Sequence, residues 1–79
     1  MRIRFRGYHQ SSKQWREACA AAFRCNAIAA YHRLVAQERP RAWLVEQLPM
    51  ELHADARTAP ISLLHYVVAW HMYSKDFSA

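Results

Sequence analysis

Glycine is almost missing from this chain: Gly7 is the only one in 79 residues. A loop that cradles phosphate needs several glycines where the backbone turns tightly against its ligand, so dinucleotide-binding and P-loop fingerprints are both excluded. Cysteine is scarce too, with only Cys19 and Cys25. Six residues apart on a helix, the two point about 120° away from each other and cannot bridge within it. With no disulfide framework and no signal-peptide pattern, a reducing, cytoplasmic setting is expected. The apolar runs are short and broken by His, Arg and Asn, too short for a bilayer, so no membrane partner is expected.

Carboxylates are few and scattered: Glu17, Glu38, Glu46, Glu51, Asp55 and Asp76. Acid–base catalysis needs polar groups that converge, and these do not converge in sequence. Cys25 and His32 would lie about 10 Å apart along a helix, too far for a nucleophile and its base. The five histidines also lack the i, i+3 or i+4 spacing that a helical metal site wants, since His65 and His71 are six apart and Cys25 and His32 seven. His53 and Asp55 would share a face only on a strand. No catalytic residue, metal or cofactor is expected, and the chain reads as a non-enzyme.

What is present is apolar and basic. Hydrophobic residues make up 53% and charged ones 22%, a globular balance rather than a disordered one. The chain is expected to form a single domain over residues 1–79, though one this small buries only about 60 to 65% of its unfolded surface. The formal charge is +5, and Lys13 and Lys75 are the only lysines among eleven basic residues. Arginine's planar fork suits carboxylates, phosphates and aromatic rings, so an acidic partner is expected: a protein or nucleoprotein surface, or nucleic acid.

Met1 to Tyr8 alternates, with Met1, Ile3 and Phe5 on one side and Arg2, Arg4 and Arg6 on the other. Period two predicts a short strand whose arginines stand about 6.6 Å apart on one face. Ser11 to Glu38 then contains neither glycine nor proline and is rich in alanine, which predicts one long helix. Ser11 and Gln14 would form its capping box. Trp15, Cys19, Ala22, Phe23, Ala27, Ala30 and Leu34 form its apolar stripe, with Asn26 a mild interruption. Its alanines make it thin, and a thin helix is expected to be the central one.

Pro40 and Pro49 predict two short helices, Arg41 to Leu48 and Pro49 to Ala56, with a strand over Ala42 to Gln47 as the rival reading. Pro60 opens the last helix, expected to run to about Ser74 or slightly beyond, antiparallel to the first and packed on its alanine face. That helix has two apolar faces: Ile61, Leu64, His65, Val68 and Met72, and Leu63, Tyr66, Trp70, Tyr73 and Phe77. The expected fold is therefore mainly α, with an α+β arrangement of two or three short strands as the alternative.

Tyrosine, tryptophan and arginine dominate binding hot spots. Tyr66, Trp70, Tyr73 and Phe77, together with Arg2, Arg4 and Arg6, are accordingly the expected partner-binding residues. Core packing is the competing role for the aromatic stripe, and a solvated, aggregation-resistant edge the competing role for the arginines. The expected function is a small protein-binding module that occupies a surface. A phage or mobile-element inhibitor or adaptor that blocks a nucleoprotein machine would have this size and charge. The alternatives are a basic nucleic-acid-binding accessory protein and a homodimer joined through the aromatic stripe.

Overall fold

The computed structural model describes residues 12–77, with side chains as far as residue 73. The expected N-terminal strand, Arg2, Arg4, Arg6 and the Ser11 cap lie outside the described residues. So does the Phe77 side chain. The described residues form five helices: α1 (Lys13–Arg24), α2 (Ile28–Ala36), α3 (Arg41–Glu46), α4 (His53–Thr58) and α5 (Ile61–Phe77). A 3₁₀ turn, Met50–Leu52, leads into α4. No strand occurs among the described residues, and α3 occupies the stretch where the rival reading placed one.

The long helix expected from Ser11 to Glu38 is two helices. Asn26 has φ 53°, and α1 gives way to α2 through a turn at residues 25–27. Asparagine enters the left-handed region more readily than other residues with a Cβ, because its short amide can bond locally. An α2 backbone bond re-forms at once, from the Tyr31 N–H to the Ala27 carbonyl at 2.8 Å. The second helix also stops earlier than expected, at Ala36, because Glu38 is itself left-handed at φ 55°. What looked like a mild interruption redirects the chain.

The start of α1 lies one residue beyond the expected cap. Ser12 has extended backbone angles, and its hydroxyl accepts from the Trp15 N–H at 3.0 Å. Position N3 is thus tryptophan, which has no acceptor to return to the cap. A distant carboxylate, Asp55 of α4, fills that role. At the other proline-marked boundary, Pro40 keeps extended angles ahead of α3, which buries Leu44 and Val45.

The centre of the fold is α5, not the alanine-rich segment. No side chain from Leu63 to Tyr73 is exposed, and Leu64, Val67, Val68 and Ala69 are completely buried. Trp15, Ala18, Ala30 and Leu34 pack against them from one side, and Leu44, Val45, Leu48, Leu52 and Ala56 complete the core. The alanines do allow close approach, as expected: Ala18, Ala22, Ala27 and Ala30 are all buried. They line the helices that wrap α5, however, rather than forming its axis. Burying about 25 cal/mol of apolar contact per Å² is best served by the element that is apolar all round, and α5 is that element.

Two stripe assignments change with the break. The buried positions of α1 are Trp15, Ala18 and Ala22, while Cys19 is only half-buried and Phe23 is 60% exposed. Ile61, expected on an apolar face of the last helix, is also exposed. The antiparallel relation of α1 and α5 holds: Gln14, Glu17 and Ala18 lie beside Trp70 and His71, whereas Phe23 lies on Tyr66. At Tyr73 the backbone leaves helical angles (φ −115°, ψ 17°), which puts a kink near the end of α5.

Candidate docking face

The aromatic stripe of α5 is divided between two environments. Tyr66 sits where α1 and α2 meet over α5: Phe23 of α1 stacks on it at 5.0 Å and 28°. Tyr31 of α2 tilts against it at 5.8 Å. Tyr31 also meets His65 edge-on at 6.4 Å and His32 at 5.2 Å, extending the ring cluster along α2. His65 is held in place because its Nδ1–H donates to the Ile61 carbonyl at 2.9 Å. Farther along α5, the Arg33 guanidinium lies over the Tyr73 ring, 5.2 Å from its centroid.

Trp70 points elsewhere. It is half-buried and walls an open cleft of about 300 Å³ together with Gln14, Glu17, Pro49, Glu51 and His71. That cleft carries two carboxylates. The ring cluster is different: its backbone elements contain no carboxylate from Ala18 to Gln37 or from Ile61 to Lys75. Of the expected site residues, Tyr66 and Tyr73 therefore belong to one face and Trp70 to another.

Phe23, Tyr31, Arg33 and His65 were missed as site residues by the sequence reading. Phe23 was assigned to the core because an unbroken helix would have carried its stripe onward. The usable signal was the pair of carboxylate-free runs, Ala18 to Gln37 with Phe23, Arg24, Tyr31 and Arg33, and Ile61 to Lys75 with His65. The arginines also divide by task. Arg41 donates from Nη1 to the carbonyls of Ala56 at 2.9 Å and Ala59 at 2.8 Å, closing the end of α4. Arg39 stacks over Trp43 at 4.4 Å.

Among the described residues neither cysteine thiol is hydrogen-bonded to a base. Cys19 is half-buried, and its thiol is pushed above the ordinary cysteine range, first by burial and then by the negative charge of Asp55. A thiol held protonated is a poor nucleophile and a poor metal ligand. His53 donates from Nε2 to the Leu48 carbonyl at 2.8 Å, and Asp55 serves Ser12, so these two side chains have separate partners. Among the described residues no group of three His, Cys, Asp or Glu is placed to hold a metal ion. Among the same residues no helix is long and apolar enough to cross a membrane.

The class defined by these features is a small helical domain with a partly exposed ring cluster carried on two carboxylate-free stretches of sequence. No protein-family profile, curated protein or solved structure matches the chain.

Proposed function

We propose that this protein is a non-catalytic docking module that covers an acidic macromolecular surface, as an inhibitor or adaptor of a nucleoprotein machine would. The observation that carries this reading is the exposed Phe23 ring, stacked on Tyr66, with both rings on stretches of sequence, Ala18 to Gln37 and Ile61 to Lys75, that supply arginine and histidine but no carboxylate. A large apolar ring left 60% in water forgoes much of the burial that would stabilise the fold. Rings of this kind, flanked by arginine, are the side chains that anchor interfaces. A basic field from the +5 net charge would steer an acidic partner toward the molecule before the rings engage.

The test is capture from the source cells with the full chain as bait. Wild type should retain a partner that Phe23→Ala loses, while the folded helix content of the variant stays unchanged. An Arg2/Arg4/Arg6→Ala triple variant measures the N-terminal contribution separately. Full capture by both variants would overturn the docking reading.

A further inference from the structure

We infer that the ring face takes a segment of single-stranded nucleic acid, one base stacking on the outer face of Phe23 and neighbouring phosphates held by Arg24 and Arg33. The inference rests on the docking reading and names the chemistry of the partner at that same face.

Three features converge on it. Phe23 and Tyr66 are nearly parallel at 5.0 Å, so Tyr66 covers one face of the Phe23 ring. With 60% of Phe23 exposed, much of the residue remains open to solvent, and the natural next member of such a column is another flat π-system. Every base offers one, in any sequence. The second feature is charge. Arg24 follows Phe23 at the exposed end of α1, and Arg33 lies on α2 with its guanidinium over Tyr73. Tyr66 and Tyr73 are seven positions apart, about 10 Å along α5, so the Arg33 guanidinium lies within a short span of the platform, and Arg24 adjoins Phe23 in sequence.

The third feature is that the stretches of sequence carrying these rings, Ala18 to Gln37 and Ile61 to Lys75, contain no carboxylate. A protein partner recognised through its own arginines or lysines would need acidic groups here, whereas Glu17 and Glu51 line the Trp70 cleft. An acidic peptide would satisfy the arginines but has no regular π-face to place on Phe23. A single strand satisfies both, because it repeats an anion and a flat ring at every residue. Duplex DNA keeps its bases stacked inside and cannot offer one to Phe23 without unstacking it.

The experiment compares two labelled strands of equal length, an oligothymidylate and its abasic counterpart, by fluorescence anisotropy with the full chain at low and moderate salt. Wild type should bind the strand with bases several-fold more tightly than the abasic one. Phe23→Ala should weaken oligothymidylate binding about tenfold and erase that difference, which removes any contribution of the N-terminal arginines from the comparison. Phe23→Trp should keep it. An Arg24/Arg33→Ala double variant should lower the slope of log affinity against log salt by about 1.4. The inference is overturned if wild type does not distinguish the two strands, or if Phe23→Ala binds both as wild type does. If neither strand binds, but Phe23→Ala still loses a cellular partner whose capture survives nuclease treatment, the partner is a protein and the docking reading stands without the nucleic acid. Loss of both effects removes both readings.

Discussion

Asp55 of α4 accepts two hydrogen bonds from Ser12, 2.8 Å from its hydroxyl and 3.3 Å from its backbone N–H, across 43 residues of chain. The same hydroxyl accepts from the Trp15 N–H, so the first turn of α1 is fastened to α4 through one serine. Serine can do this because a hydroxyl donates once and still accepts. Trp15 is thereby fixed against the core.

Replacing Asp55 by Ala is therefore expected to lower stability by about 1 to 2 kcal/mol, through loss of a charge-assisted bond and an unpaired Ser12 N–H. In a domain of this size that is a drop in Tm of roughly 5 to 15 °C. Ser12→Ala should cost about 1 kcal/mol through the lost cap. The double variant should cost less than the sum of the singles, because the two side chains serve one connection. Additive losses in thermal unfolding would show that Asp55 and Ser12 act independently.

Arg41 supports the other end of α4. Its Nη1 reaches two carbonyls, Ala56 and Ala59, that the end of a helix leaves without partners. Arg41→Met keeps much of the apolar stem and removes both bonds, with an expected loss of about 2 kcal/mol. Arg41→Lys should recover only part, since the lysine ammonium falls about one bond short of the position from which Nη1 reaches both oxygens. Denaturant midpoints at unchanged m-value measure the difference. A lysine variant as stable as wild type would mean that charge alone suffices there.

The two left-handed residues among those described make a prediction of opposite sign. Asn26 and Glu38 have φ of 53° and 55°, and a residue with a Cβ is strained there by about 1 to 2 kcal/mol unless a short amide relieves it. Glu38→Gly should stabilise the protein by up to about 1 kcal/mol, and Asn26→Gly should be close to neutral. Asn26→Val should destabilise by more than 1 kcal/mol, because a β-branched residue is poorly tolerated in that region. If Asn26→Val instead raised stability, the break between α1 and α2 would not be the preferred state.

Asn26 also marks the limit of what the sequence discloses. Two short helices after Pro40, a last helix opened by Pro60 and packed on alanines, and a mainly α fold were all readable, because proline placement and apolar period are local signals. A single asparagine in a run of good helix formers is too weak a signal to predict a turn. The turn is favoured because α5, apolar on every side from Leu63 to Tyr73, needs two helices to cover what one straight helix cannot. Losing the break meant losing Phe23 as a surface residue, and with it the ring cluster. The aromatic stripe was visible as a pattern, but its division between the Tyr66 face and the Trp70 cleft depends on which helices cover it.

The two cysteines should separate cleanly by reactivity. Cys25 is exposed in the turn after α1, whereas Cys19 is half-buried near Asp55, and burial followed by that negative charge raises its pKa. At neutral pH a thiol-reactive chromogen should therefore modify Cys25 at least about tenfold faster than Cys19, because the thiolate is the reacting species. The sign of the linkage follows from the same shift. A thiol whose pKa is higher in the folded state than in the unfolded chain costs no stability below the unfolded value. Its contribution is lost as pH rises past that value toward the folded one, when the unfolded chain ionises first. Wild type should therefore lose more stability than Cys19→Ala between neutral pH and the alkaline range above the ordinary cysteine value. Equal pH slopes for the two proteins, with equal modification rates for Cys19 and Cys25, would show that Cys19 is neither buried nor placed beside Asp55 in solution.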